Sequence, residues 1–191
     1  LQYKIVDNFL KSEECKTIIE MAKSRLTPST SWNVKKGVSE VTNYRISDQM
    51  FFTIGENYLV RCIEDRVADI TGFPIENGEG LQVVHYLQGG YYKLHSDSFD
   101  LEWPGNQSIL NRGGQRIITV LIYLNDLHSF GGETYFPYLD LEVEPNEGRA
   151  LIWYNVYENG LRDRSTFHEA RPVLRGEKWI ATKWLREFKF H

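Results

Sequence analysis

His95-Ser96-Asp97, with His168 far downstream and Lys178 ten residues beyond it, are the residues whose types and spacing could do chemistry. Two imidazoles and one carboxylate on one face of a divalent ion leave its other face open, the donor set of non-haem Fe(II) oxygen-activating centres. In an extended strand, residues i and i+2 project to the same side, so His95 and Asp97 can share an ion if Tyr91–Asp97 is extended. Tyr91, Tyr92 and Leu94 favour that conformation. His95, Asp97 and His168 are the candidate metal ligands.

Lys178 adds an anionic ligand at a fixed distance from the metal. Thr166–Phe188 reads as two strands around a turn at Leu174-Arg175-Gly176, with Gly176 free to take a positive φ. A hairpin centred near Arg175 sets His168 opposite Thr182 and Pro172 opposite Lys178. His168, Lys178, Ile180, Thr182 and Trp184 then share one face, and Trp179, Ala181, Lys183 and Leu185 the other. Lys178 would lie about four positions, or roughly 13 Å, from the point opposite His168. A lysine side chain spans about 6 Å, leaving about 7 Å, a gap that suits a five-carbon dicarboxylate such as 2-oxoglutarate. The apolar neighbours of Lys178 predict burial, and a buried ammonium needs a partner.

These side chains must be positioned by elements that are mostly strands. Tyr3–Phe9 predicts a short strand, and Ser12 is expected to cap a helix through about Arg25, with Glu13 and Glu14 in its first turn. Cys15, Ile18, Ile19, Ala22 and Leu26 give it an apolar stripe at helical spacing. Thr27–Lys36 reads as a loop. Asp48 is expected to open a second helical region that carries Leu59, Ile63, Val67 and Ile70 and ends at Gly72. After Gly80 the pattern turns to strands at 81–87, 91–97, 116–124, 134–136, 149–154, 166–173 and 178–188. Ile117–Leu124 has the character of a buried central strand. Phe99–Gly114 reads as a loop beside the metal site, and Asn155–Arg164 as a second polar loop just before His168. Helices followed by many short strands predict a mainly β, α+β fold: a sandwich or jelly roll with the N-terminal helices packed on one sheet.

At 191 residues the chain suits one domain, 1–191, with helical support and a substrate groove in 1–79 and the jelly-roll core in 80–191. A net charge of −4 argues against nucleic acid as partner. Cys15 and Cys62 fall in separate helices and read as free thiols. No apolar run has the length of a membrane span. The chain starts at Leu1, so the cytoplasm fits if only the start is missing, and the secretory lumen fits if a signal or anchor was removed. Asn106-Gln107-Ser108 matches a glycosylation sequon. Oligomeric state is not legible.

The order of motifs resembles the prolyl 4-hydroxylase family of Fe(II)/2-oxoglutarate dioxygenases. The resemblance rests on Leu81-Gln82-Val83-Val84-His85-Tyr86, Tyr92-Lys93-Leu94-His95-Ser96-Asp97, Gly114-Gln115-Arg116 and Thr119–Asp126. It continues through Gly131-Gly132-Glu133-Thr134, Phe136-Pro137, His168-Glu169-Ala170, Pro172-Val173, Gly176-Glu177-Lys178-Trp179 and Trp184. It implies a double-stranded β-helix in which His95, Asp97 and His168 bind Fe(II) and Lys178 pairs with the distal carboxylate of 2-oxoglutarate. Tyr86 and Thr134 resemble the family's polar contacts to the cosubstrate, and Tyr92 and Trp184 its active-site aromatics. Tyr44-Arg45-Ile46-Ser47 is similar to a stretch that reaches toward a peptide substrate, and Glu79 and Arg116 would lie near that groove. Ser31–Val41 and Phe99–Arg112 match poorly.

The implied reaction consumes O2 and 2-oxoglutarate, with ascorbate as reductant, and hydroxylates prolyl residues of a peptide or protein at the 4-position. A proline-rich strand suits such a site because it is extended before binding. The alternatives are the same chemistry on a free amino acid, another small molecule or an alkylated nucleobase, and a non-catalytic binding domain.

Overall fold

The computed structural model describes residues 2–33 and 35–191. Strand β1 (Tyr3–Val6) and helix α1 (Ser12–Lys23) are followed by short strands β2 (Thr27–Pro28), β3 (Ser31–Asn33), β4 (Val38–Glu40) and β5 (Arg45–Ile46). Then come β6 (Asp48–Phe52), helix α2 (Tyr58–Thr71), β7 (Leu81–Tyr86) and β8 (Tyr91–His95). A four-residue helix α3 (Gln107–Leu110) precedes β9 (Arg116–Tyr123), β10 (Thr134–Phe136), β11 (Leu141–Val143) and β12 (Ala150–Tyr154). The chain closes with β13 (His168–Ala170) and β14 (Lys178–Arg186).

A 7-stranded sheet runs β1-β12-β9-β14-β7-β6-β2, a 5-stranded sheet runs β11-β10-β13-β8-β5, and β3 pairs with β4 apart from both. The strands make a β-rich, jelly-roll-like fold. In the larger sheet, alternation sorts side chains to two buried faces, as expected of a sheet covered on both sides. Ile118, Val120, Ile122, Val83, Ala181 and Leu185 share one buried cluster with Cys15, Ile18 and Ala22 of α1 and Val60, Ile63 and Val67 of α2. Leu121, Tyr123, Val84 and Ile180 face the other way, in a second cluster with Phe136 and Val143 of the smaller sheet. Chemistry-bearing residues sit on that second face, between the sheets.

Several expectations are corrected. Ser12 is the first helical residue, and the Glu14 carboxylate, not Ser12, closes the start of α1 by accepting from the Lys11 amide at 2.8 Å. Asp48 lies in a strand, because β6 finds a full antiparallel partner in β7 from Asp48↔His85 to Phe52↔Leu81. The second helix instead starts at Asn57, whose side chain accepts from the Val60 amide at 3.0 Å, and it stops at Gly72 in the left-handed region (φ 73°). The Thr27–Lys36 segment is not all loop: it carries β2 and β3. Residues before Gly80 supply β1, β2 and β6 to one sheet and β5 to the other, so both sheets cross the 79/80 division.

The largest correction concerns Thr166–Phe188. No hairpin joins its two halves: β13 pairs with β8 and β10, whereas β14 pairs with β7 and β9. His168 and Lys178 therefore belong to opposite sheets, and the spacing argued from a shared hairpin does not apply. The assignment of faces along β14 stands, since it follows from alternation alone.

Cys15 is buried and Cys62 half-buried, and both are free. The sequon asparagine, Asn106, is 2% exposed, and its amide is occupied by Trp32 and by the Asp100 carbonyl. That placement is incompatible with a glycan. No helix among the described residues is long and apolar enough to cross a membrane.

Candidate active site

His95 ends β8, and His168, which opens β13, is its register partner across the ladder. Asp97 lies two residues past the end of β8. One ligand atom from each of His95, Asp97 and His168 can be chosen so that all lie within 4.8 Å of one another. His95 Nδ1 lies 2.8 Å from the Lys93 carbonyl and His168 Nδ1 2.9 Å from the Thr166 carbonyl. A carbonyl only accepts, so each Nδ1 carries the proton and each Nε2 keeps its lone pair for a cation. Tyr92 stacks on His95 with centroids 3.6 Å apart, and Trp153 meets His168 edge-on at 4.9 Å.

Electrostatics match that role. Burial, reinforced by the neighbouring His168, pushes His95 down to about 3 and keeps its imidazole neutral. Burial would raise the Asp97 carboxyl, but the His168 and His95 imidazoles and Arg116 outweigh it and hold the group at about 2. A carboxylate oxygen and two imidazole Nε2 atoms converge, a donor set fit for a divalent metal.

The cavity holding these ligands, about 430 Å³ with its open mouth, runs inward between the sheets. Tyr86, Thr134, Tyr92, Trp184 and Lys178 all line it. Lys178 is 1% exposed, and its Nζ has no hydrogen-bond partner among the described residues. It lies over the faces of Tyr86, at 5.2 Å, and Tyr123, at 5.7 Å. Burial lowers it to about 7, opposed by Glu133. Gly132 makes room for its stem: a Cβ there would lie 3.1 Å from Lys178 Cδ and 2.6 Å from Leu127 Cδ1. Thr134 is oriented by Tyr123, whose hydroxyl donates to its Oγ1 at 2.7 Å. An unpaired ammonium at one end and metal donors at the other fit an anion that also chelates the metal.

The sequence model of the 2OG-Fe(II) oxygenase superfamily matches residues 81–186. Over 205 residues the chain is 38% identical to "Probable prolyl 4-hydroxylase 10" of Arabidopsis thaliana, covering 97% of this chain and 69% of that protein. The chain belongs to the prolyl 4-hydroxylase family of 2OG-Fe(II) oxygenases. It is also 38% identical over 180 residues to prolyl 4-hydroxylase subunit alpha-1 of Gallus gallus, of which it spans 34%. Among solved structures, the viral collagen prolyl hydroxylase of Paramecium Bursaria Chlorella virus-1, in complex with 2OG, superposes with a TM-score of 0.77. Identity there is 28%, covering 96% of this chain and 95% of that one. Fe(II) and 2-oxoglutarate are accordingly the metal and cosubstrate of this family member.

The substrate-side candidates of this prolyl 4-hydroxylase relative part company. A wide groove, about 2350 Å³ with its open side, lies over the metal ligands and is bordered by Arg45, Arg116, Tyr92 and Trp184. The Arg45 guanidinium lies 4.7 Å above the Tyr92 ring, and its Nε donates to Ser47 Oγ at 3.0 Å. Ser47 borders neither cavity and donates onward to Ser29, so it holds Arg45 rather than facing substrate. Glu79 is likewise removed from the groove. Its buried carboxylate accepts from Arg116 at 2.6 and 2.9 Å and from Arg186 at 2.7 Å. The pair holds Arg116 against the Trp184 ring, 3.8 Å from its centroid, making Glu79 a counter-ion for an active-site wall.

Sequence reasoning missed Thr119, Asn155 and Trp153. Thr119 Oγ1 donates to Asp97 Oδ2 at 2.7 Å, accepts from Asn155 Nδ2 at 2.9 Å, and Asn155 Oδ1 accepts from Trp153 Nε1 at 2.8 Å. One signal was available: Thr119 is a small polar residue within the apolar run Ile117–Ile122, on the same face as Leu121 and Tyr123.

Proposed function

We propose that this chain hydroxylates prolyl residues, at the 4-position, in an extended peptide or protein. Iron would be held by His95, Asp97 and His168, and 2-oxoglutarate would be clasped by Lys178 with Tyr86 and Thr134, on a double-stranded β-helix covered by α1 and α2. The bound metal and cosubstrate supply oxidative decarboxylation to succinate and CO2, coupled to insertion of one oxygen atom into a C–H bond. Ascorbate serves as reductant.

The residues of the chain do the placing. Lys178 neutralises the distal carboxylate with a charge-assisted contact in a site that excludes water. Tyr92 and Trp184 border both cavities, so they wall the passage between cosubstrate and groove. Arg45, seated on Tyr92, offers its remaining N–H groups to peptide carbonyls at that passage. Trp32, Tyr44, Phe99 and Trp103 border the groove as well, and an aromatic lining suits a proline-rich segment that is already extended.

The observation that carries this reading is the Lys178 ammonium, without a hydrogen-bond partner among the described residues, in the same cavity as the three metal donors. The test is mass spectrometry of a proline-rich peptide panel incubated with the chain, Fe(II), ascorbate, 2-oxoglutarate and air, with succinate followed in parallel. One added oxygen on a proline, matched by succinate, is expected. Succinate without peptide oxidation would redirect the search to a small-molecule acceptor, and neither product with iron bound would favour a binding role.

A further inference from the structure

We infer that Thr119, backed by Asn155 and Trp153, is a positioning residue that sets which oxygen of Asp97 the metal sees. The inference rests on the proposed metal centre and goes one layer beneath it.

Donation along this chain of contacts has only one sense. The Trp153 indole is a donor only, so the Asn155 atom 2.8 Å away is its carbonyl oxygen. That fixes the Asn155 amide, which must present Nδ2, a donor, to Thr119 Oγ1 at 2.9 Å. The Thr119 hydroxyl, already accepting, directs its single proton to Asp97 Oδ2 at 2.7 Å. All three supporting residues are fully buried, so water does not compete for these contacts.

Backbone contacts hold the relay in place. Thr119 is the register partner of Trp153 on one side and of Trp184 on the other, at the centre of the larger sheet. Asn155 is fixed by its own amide, which donates to the Ile117 carbonyl at 2.8 Å, and by its carbonyl, which accepts from Asp163 at 3.0 Å. Trp153 also packs edge-on against His168 and Phe136, so one side chain steadies a second ligand while it orients the first.

The consequence is a division of labour between the two oxygens of Asp97. Oδ2 is occupied by the hydroxyl, while Oδ1 lies 3.8 Å from His95 Nε2, on the side where the imidazole lone pairs gather. Asp97 is thereby held to offer one oxygen to the cation.

The test is Mn(II) binding to the metal-free chain, read from the loss of the free-ion EPR signal, with circular dichroism as the check on folding. Thr119→Val keeps the shape and removes the hydroxyl, and affinity is expected to fall about 10- to 100-fold. Thr119→Ser restores the hydroxyl and is expected within about threefold of the parent, which a packing role for the Thr119 methyl would not predict. Trp153→Phe keeps a ring against His168 but frees the Asn155 amide, so a smaller loss in the same direction is expected even if Thr119→Val does not fold. Parental affinity in both Thr119→Val and Trp153→Phe, or Thr119→Ser as weak as Thr119→Val, would overturn the relay. Asp97→Ala separates the two layers: if it loses Mn(II) while neither Thr119→Val nor Trp153→Phe does, the metal centre stands and this inference falls. No binding by the parent would overturn both.

Discussion

The inner pocket and the outer groove are built from different kinds of contact. Lys178, Thr119 and Tyr86 project from β14, β9 and β7, adjacent strands of the larger sheet, each locked by ladders on both sides. The groove shares its floor with the two large sheets through Tyr92, Arg116 and Trp184, but its outer rim is formed by β3, β4 and the segment between Phe99 and Gly114, none of which joins either sheet. Those parts are held to one another by side chains, as where the Trp32 indole donates to Asn106 Oδ1 at 2.9 Å. Chemistry sits on the backbone-locked region, and recognition on the region that can vary without disturbing the sheets. Changes in the pocket should therefore have large effects, and changes in the groove small ones.

Asp97→Ala is the strongest test of that contrast. It removes the one carboxylate of the triad and leaves the Thr119 hydroxyl without its acceptor. Metal binding is expected to collapse and succinate release to fall to background, with the fold retained by circular dichroism. Turnover surviving in this variant would break the assignment of the pocket.

Lys178 comes next, with effects of opposite sign on function and stability. Losing a charge-assisted contact of roughly 1.5–3 kcal/mol should raise the KM for 2-oxoglutarate about 10- to 100-fold in Lys178→Ala, with Mn(II) affinity unchanged. Lys178→Met keeps the volume while deleting an unpaired buried ammonium, so the cosubstrate-free protein should gain about 1–3 kcal/mol in denaturant unfolding. Unchanged KM, or lower stability in Lys178→Met, would show that the ammonium has a protein partner after all.

These residues were legible in sequence because a period of two fixes faces without knowledge of partners. The inward set Lys178, Ile180, Thr182, Trp184 needed nothing more, whereas the strand expected through Asp97 ends at His95, so alternation alone does not place Asp97. Pairing was another matter. Turn chemistry at Leu174-Arg175-Gly176 is real, with Gly176 at φ 80°, yet β14 takes its partners from β7 and β9, far away in the chain. The same non-local pairing turned the start of the expected second helix into β6, since Met50 and Phe52 bury against the sheet that β7 offers. Asn155 reaches Thr119 across 36 residues and Glu79 reaches Arg116 across 37, separations at which no local pattern exists.

Titration of Lys178 gives an intermediate effect. Burial sets the cosubstrate-free ammonium near 7 instead of 10.5, so between those values the unfolded chain binds a proton that the folded one does not. This group alone therefore makes the cosubstrate-free protein more stable as pH rises through that window. A bound dicarboxylate favours the charged form, so above about pH 7 binding must take up a proton. The affinity for 2-oxoglutarate should then weaken by up to about tenfold per pH unit, and calorimetry in buffers of different ionisation enthalpy should register the proton. A flat profile from pH 7 to 9 would mean that Lys178 stays charged without its ligand, and the pocket would be less dry than its geometry indicates.

The smallest expected effect lies in the groove. Trp32→Phe keeps an aromatic surface on β3 but removes the N–H that ties this hairpin to Asn106, a contact of roughly 1 kcal/mol. Asn106 keeps its second contact, Nδ2 donating to the Asp100 carbonyl at 2.8 Å, so the facing segment holds its shape and only the tie is lost. Peptide KM should therefore rise about threefold to fivefold, while the KM for 2-oxoglutarate and the ratio of succinate to hydroxylated product stay as in the parent. A change in 2-oxoglutarate KM as large as that in peptide KM would mean that the hairpin also braces the inner pocket through Tyr92 and Arg45, and the two regions would not be separable.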